Sequence, residues 1–355
     1  MVSKTRQRIQ QSYWMIVSLI AGAVSTLAFA PFNQGWLLFL CLALALYQWD
    51  KLPAKQAAIS GWLFAMGLQC TGVSWIYYSV HVHGSAPAFF AVLLVVLLCC
   101  YLSVYTALSV YLVNRFLPAT PMLRIMLAYP ASWVVFEWLQ GYVMTGFAWM
   151  QLGYSQIDLQ ISGFAPLLGN HAVSGLVVFS SAVLVVLFKQ WRQTDKIKLL
   201  PVLLAGTLLW VCGGLLKTIH WTDKSGEPLR ISVIQGNIQQ QDKWKPAMRL
   251  PTMKLYRDLS LAQKDVDLII WPETAIPDYR HRVLPYLQQL SEVMQKRGTD
   301  LLLGIFVLNE ENRVVNSVVN INGGIYNKIH LVPLGEYIPL RFLIEFFNRF
   351  VKIPM

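Results

Sequence analysis

A membrane α-helical bundle followed by a water-soluble α/β segment is the fold class that this sequence predicts. Three observations carry the prediction. Of the 355 residues, 55% are hydrophobic and only 13% charged, about half the roughly 25% of an ordinary soluble domain. The shortfall is uneven: residues 1–219 hold 12 Lys and Arg and 4 Asp and Glu, whereas residues 220–355 hold 17 and 14. Finally, the first part is built of long apolar runs, and the second alternates strand-like with helix-like segments. The boundary falls near His220, giving a transmembrane bundle over 1–219 and a separate domain over 220–355.

A spanning helix needs about 20 mostly apolar residues, because the hydrocarbon core is about 30 Å thick. Seven transmembrane helices are predicted, over 12–30, 35–49, 56–78, 88–113, 122–140, 164–188 and 199–219. The second is short for a full crossing, and it forms a hairpin with the first around Pro31. The connecting segments alternate in charge. One set carries eleven basic residues: Lys4, Arg6 and Arg8, then Lys51 and Lys55, Arg115 and Arg124, and finally Lys189, Arg192, Lys196 and Lys198. The other set, near 31–34, 79–87 and 141–163, carries no Lys or Arg. Basic loops stay on the cytoplasmic side. The N-terminus is therefore expected inside, and seven crossings put residues 220–355 outside.

The net charge of +11 does not indicate nucleic-acid binding. Most of the excess flanks apolar stretches, where it sets membrane orientation, and no nucleic-acid-binding signature is present. The five cysteines, Cys41, Cys70, Cys99, Cys100 and Cys212, all lie in apolar runs. They form neither a disulfide framework nor a metal knuckle, so no metal and no cofactor is expected. The basic N-terminus leads into an apolar run that continues into further spans, as an uncleaved first helix does.

The connections without Lys or Arg are rich in aromatics: Trp36, Trp75, Tyr77, Tyr78, Tyr142, Trp149 and Tyr154. They read either as an interfacial belt or as the lipid-facing wall of a site. Glu137, in Val134-Val135-Phe136-Glu137-Trp138, is costly inside a membrane. It reads either as a carboxylate reaching the outer interface or as a functional group.

In the second part, residues 230–236, 267–271, 300–308, 314–321 and 324–329 read as strands, and 248–263 and 282–297 as helices. A turn is expected at Asn322-Gly323. Glu273 follows a buried strand and a proline, a place where a rigid sheet can aim a carboxylate. Lys328 sits just after another strand, and Glu336 follows it. Taken singly, each also reads as a cap or a solvated charge.

Two stretches around these residues, DLIIWPETAI (267–276) and YNKIHLVPLGEYIP (326–339), resemble the nitrilase superfamily. Three more, GVSWIYYSVHVHGSAP (72–87), FEWLQGYVMTGFAWMQLGYSQID (136–158) and VIQGNIQQQDKW (233–244), resemble its membrane branch, the apolipoprotein N-acyltransferases. The resemblance covers nearly the whole chain. It implies a nitrilase-like αββα sandwich over 220–355, with Glu273 as general base and Lys328 stabilising the tetrahedral oxyanion. Glu336 would be a supporting acid, and Trp244 would lie on a loop over the lipid site. It further implies a monomer in a bacterial inner membrane with its soluble domain in the periplasm. The acyl donor would be phosphatidylethanolamine. The acceptor would be the α-amine of the N-terminal S-diacylglyceryl cysteine of an apolipoprotein, reached through a cysteine thioester. The physical logic agrees: a thiol near neutral pH needs a base, and the ester oxyanion needs a positioned cation.

One departure bears on activity. The family's nucleophilic cysteine lies beyond the second acidic residue, and this sequence reaches Met355 without one. The domain is thus expected to be incomplete and the 355-residue chain inert. Two other readings stand beside this one. A membrane-tethered nitrilase-type amidase would use water as acceptor. A lipid- or lipoprotein-binding pseudoenzyme would not turn over.

Overall fold

The computed structural model describes residues 2–117, 121–191 and 199–331. These fall into two compact units that part between Thr222 and Asp223.

The first unit is helical. Helices α1 (Val2–Ser25), α2 (Gly35–Trp49) and α3 (Ala54–Gly72) are followed by the short α4 (Trp75–Tyr78), which widens into one turn of π-helix at Ser79–His83. Then come α5 (Ala88–Phe116) and α6 (Pro121–Leu123), the latter running through another π turn, Arg124–Ala128, into α7 (Tyr129–Gln140). Helices α8 (Ala165–Trp191) and α9 (Leu199–Lys217) complete the unit. Among the described residues, three helices are long and apolar enough to cross a bilayer: Ala88–Phe116, Gln160–Trp191 and Leu200–Lys217. Helix α2, at 15 residues, spans only about 22 Å at 1.5 Å per residue. The run 56–78, read from sequence as one helix, breaks toward its C-terminal end, where Val73 leaves helical geometry between α3 and α4.

Close backbone approach packs α1 on α3. A Cβ on Gly22 would lie 1.8 Å from the Phe64 carbonyl oxygen, and one on Gly67 would lie 2.1 Å from that of Leu19. Small residues bring helices together in this way where lipid supplies no hydrophobic drive. Several polar side chains in the bundle bond to one another. Ser18 Oγ donates to Gln48 Oε1 at 2.9 Å and meets Ser60 Oγ at 2.7 Å, and Trp49 Nε1 donates to Ser60 Oγ at 3.1 Å.

The basic connections are also drawn into the fold. Arg124 is buried rather than a loop charge. Its Nε donates to Asp50 Oδ1 at 2.8 Å, and Lys189 Nζ pairs with the other oxygen of the same carboxylate. Asp50 thereby joins the α2 end, the turn before α7 and the end of α8.

Glu137, read as reaching an interface or as a functional group, is held within the helical unit. It is buried, and its Oε1 accepts the Leu152 N–H at 2.9 Å and Trp133 Nε1 at 3.4 Å. His171 Nδ1 lies 3.3 Å from Oε2. The carboxylate fastens the irregular 141–164 segment to α7 and α8. That segment turns through Met144, Thr145, Gly146 and Met150, all at positive φ.

The second unit is a five-stranded mixed sheet in the order β1 (Ile231–Val233), β2 (Leu268–Ile270), β3 (Asp300–Leu308), β4 (Val314–Asn320), β5 (Ile325–Asn327). Strands β1, β2 and β3 run parallel, and β3, β4 and β5 antiparallel. The parallel pairs are bridged by helices. After the short α10 (Gln240–Lys243), α11 (Arg249–Ala262) joins β1 to β2, and α12 (Leu284–Lys296) joins β2 to β3. Leu287, Leu290 and Met294, spaced by three and four, form the buried stripe of α12, as expected of a helix with one apolar face. They pack with Ile269, Leu301 and Leu303 in one core. Trp271 Nε1 donates to Ser260 Oγ at 2.8 Å, locking α11 to the end of β2.

Candidate active site

Three segments of the second unit meet at Glu273. The first is the turn that follows β2. Trp271 N–H still bonds to Leu302 O at 2.9 Å, and Ala275 N–H rejoins β3 at Gly304 O, 2.8 Å. Between these two ties the chain bulges, with Thr274 at φ +49°. A non-glycine residue held at positive φ stores strain, and such strain clusters at functional sites. The bulge lies tight on β3. A Cβ at Gly304 would sit 2.6 Å from Pro272 O and 2.7 Å from Glu273 Cα, so only glycine lets the carboxylate's backbone cross the strand there. Glu273 itself points outward, with a side-chain exposure of 68%.

The β4–β5 hairpin is the second segment. Lys328 follows β5 directly, and its Nζ lies 3.8 Å from Glu273 Oε1. Asn316 on β4 donates from Nδ2 to the same oxygen, and its backbone carbonyl accepts the Lys328 N–H at 2.9 Å. The third segment is the connection carrying α10. Lys243 Nζ donates to the Glu273 carbonyl oxygen at 3.3 Å. Burial pulls the Lys243 ammonium below the ordinary lysine range, against the opposing pull of the Glu273 carboxylate. Trp244, half-exposed, stacks on Phe306 with ring centroids 5.7 Å apart.

The geometry brings together Glu273 and Lys328, and it sets Trp244 on the segment that also carries Lys243. Glu336 lies outside the described residues. A carboxylate open to solvent and an ammonium a few ångströms away can do complementary work at a carbonyl. One removes a proton from a nucleophile, and the other stabilises the oxyanion that forms. Reading the sequence missed Asn316, Lys243 and Gly304. For Asn316 a signal was present, since an amide in the run Val314-Val315-Asn316-Ser317-Val318-Val319 needs a polar partner if buried. Lys243 is marked only by standing next to Trp244.

Two family models match. That of the apolipoprotein N-acyltransferase N-terminal domain covers residues 21–183, and that of carbon-nitrogen hydrolase covers 230–349. An apolipoprotein N-acyltransferase of Methylococcus capsulatus is 34% identical over 347 residues, 96% of this chain and 68% of the relative. One from Coxiella burnetii is 36% identical, over 96% of this chain and 70% of the relative. Another, from Pseudomonas aeruginosa, is 37% identical, over 96% and 68%. The chain belongs to the apolipoprotein N-acyltransferase family. Membership joins the two units under one description: a membrane helical part followed by a carbon-nitrogen hydrolase part. Glu273, Lys328, Asn316, Lys243 and Trp244 all fall in the latter.

Proposed function

We propose that this protein is a phospholipid-to-apolipoprotein N-acyltransferase, moving an acyl chain to the α-amine of the N-terminal diacylglyceryl cysteine of lipoproteins. The observation that carries the reading is the 3.8 Å approach of Lys328 Nζ to Glu273 Oε1 at the sheet edge, in a chain of this family. In the proposed route a thiol loses its proton to Glu273 and attacks the ester carbonyl of phosphatidylethanolamine. Lys328 stabilises the oxyanion, lysophospholipid leaves, and the acceptor amine then attacks the thioester. Glu336 supports the base, and Trp244 covers the lipid site. Substrates anchored in lipid explain why a hydrolase-type domain is joined to a helical bundle. Seven crossings in an inner membrane, as a monomer, complete the proposal. The soluble segment then faces the periplasm, and reporters fused after Gln193 and after Lys224 should read as cytoplasmic and periplasmic.

The thioester route needs a thiol beside Glu273, and residues 220–355 contain no cysteine. The 355-residue chain serves as the reference. The test sets it beside the same chain joined to the part of the Methylococcus capsulatus relative that lies beyond the matched region. Both are given phosphatidylethanolamine and a diacylglyceryl peptide in detergent, and triacylated peptide is read by mass spectrometry. The joined protein should transfer the chain, and Glu273→Gln should stop thioester formation in it. A folded joined protein without transfer would sink the acyltransferase reading. Full thioester formation by the Glu273→Gln variant would remove Glu273 as the base.

A further inference from the structure

We propose that the groove between α2, α8 and α9 holds one phospholipid of the bilayer, with an acyl chain lying along it and the phosphate at Lys217. The site belongs to the helical unit alone and does not rest on the acyltransferase reading. The groove has a volume of about 820 Å³, within the roughly 300–1,000 Å³ of small-molecule sites. Leu40, Val183, Leu184, Leu203 and Val211 line it. Its middle is chiefly aliphatic, and Ser180 there already accepts Trp210 Nε1 at 3.3 Å. Two of its walls, α8 and α9, are long and apolar enough to cross a bilayer, and α9 turns Leu204, Leu208 and Leu215 outward. The medium at the mouth of the groove is therefore hydrocarbon.

One end of the groove is different. Trp36, in the first turn of α2, is exposed and donates from Nε1 to Gln34 Oε1 at 3.1 Å. Gln160 lines the groove near Gly214. Lys217, three residues after Gly214 in the last turn of α9, donates from Nζ to Ile157 O at 3.2 Å and to Leu159 O at 3.4 Å. Tryptophan and lysine at helix ends mark the headgroup level. A lysine ammonium carries three donors, so beyond the two carbonyls one can go to a phosphate oxygen. A groove that is polar and cationic at the headgroup level and aliphatic inward has the layout of a phospholipid. A packed helix fits less well. Small residues admit a helix, but Gly206 and Gly214 already face Val183 and Gln160 of the same unit, 3.2 and 3.6 Å from an added Cβ.

The test uses the full 355-residue chain in lipid-poor detergent micelles. One sample receives a phosphatidylcholine with a diazirine near the end of one acyl chain, and a parallel sample a diacylglycerol with the same chain. Peptide mass spectrometry maps the photoproducts. The phospholipid should label 180–184 and 203–211 saturably, and above the exposed face of α5 at Phe89, Val92 and Val96. Thr207→Trp fills the groove, and labelling there should fall to the α5 level while α5 itself labels as in the parent. If Thr207→Trp lowers the unfolding temperature or alters α5 labelling, Val211→Trp, at a more open place on the wall, carries the test. Lys217→Ala should lower phospholipid labelling about threefold, the worth of an exposed charge pair, and leave diacylglycerol labelling unchanged. Labelling of the groove that never saturates and only equals that of α5 would mean ordinary surrounding lipid and overturn the proposal. So would undiminished labelling in a folded tryptophan variant, or cross-links between two copies of the chain through the groove. An equal response of the two probes to Lys217→Ala would remove the phosphate contact, and with it the phospholipid.

Discussion

The carboxylates Asp50 and Glu137 of the helical unit and Glu273 of the sheet unit are held in different ways. In the helical unit the carboxylates Asp50 and Glu137 are buried to the same degree, each with a side-chain exposure of 7%, and each is bonded to groups from separate segments. In the sheet unit Asp278 is closed in the same way by Arg249 and Arg282, but Glu273 is open, and the pair Arg230–Asp267 lies at the surface. The difference follows from the solvent. In a bilayer an unpaired charge or amide has no water to turn to, so a carboxylate there persists only as part of a closed network and acts as a fastener. A carboxylate that must meet a substrate needs an open face, and the sheet unit keeps one. The closed networks around Asp50 and Glu137 serve architecture, and the open face at Glu273 leaves its carboxylate accessible.

The sharpest way to break this comparison is Asp50→Ala. It leaves Arg124 and Lys189 facing each other without their shared counter-ion. Removing one partner of a buried ion pair costs about 3–5 kcal/mol, so thermal unfolding in detergent should shift far down. Lys189→Ala, which removes the more exposed of the two cations, should cost less. An Asp50→Ala protein as stable as the parent would show that the bundle does not depend on the network.

A smaller effect is expected from Gly304→Ala. The new methyl would press on Pro272 O and Glu273 Cα. Both are backbone atoms and cannot swing aside, so the bulge must move. Overpacking of this kind costs about 1–3 kcal/mol. The displacement should also disturb Glu273 more than its neighbours. Hydrogen exchange should quicken at Ala275, whose N–H bonds Gly304 O, before it quickens in α12. Unchanged protection at Ala275 would mean that the bulge has slack.

Much of the sheet unit was legible in sequence because its signals are local. The strand read over 300–308 is β3 as observed, and that read over 314–321 ends one residue early, at Asn320. Glu273 and Lys328 stood out because their motifs are contiguous. What could not be read depends on partners far along the chain. Arg124 sits among apolar residues as a loop charge would, and only the fold brings it to Asp50, 74 positions away. The partners of Glu137 were hidden because nothing near it in sequence predicts that Leu152 and His171 close around it. The 141–164 connection carries no Lys or Arg and is rich in aromatics, a composition that does not foretell its short turns at positive φ. Asn316 was hidden by the opposite problem. Strand alternation accounts for its position so well that its partner was not sought.

The smallest effect should come from Arg230→Ala, the surface counterpart of Asp50→Ala. Arg230 bonds Asp267 both through its guanidinium, Nη2 to Oδ1 at 3.2 Å, and through its own N–H, to Oδ2 at 2.7 Å. The guanidinium bond is the first cause, and the backbone bond the second, that hold the Asp267 carboxyl below the ordinary aspartate range. A depressed carboxylate contributes stability that is fully present above its unfolded value of about 3.9 and is lost as the pH falls through the lower folded value. Alanine removes the guanidinium but keeps the backbone bond, so part of the depression survives. The pair is exposed, where water and salt screen it. At neutral pH, hydrogen exchange along β1 and β2 should therefore match the parent closely. The small gap that exists should narrow further with added salt, and it should close as acid protonates Asp267 in both proteins. A loss at neutral pH rivalling that of Asp50→Ala would mean that exposure does not separate the two kinds of charge in this protein, and the contrast between its units would fail.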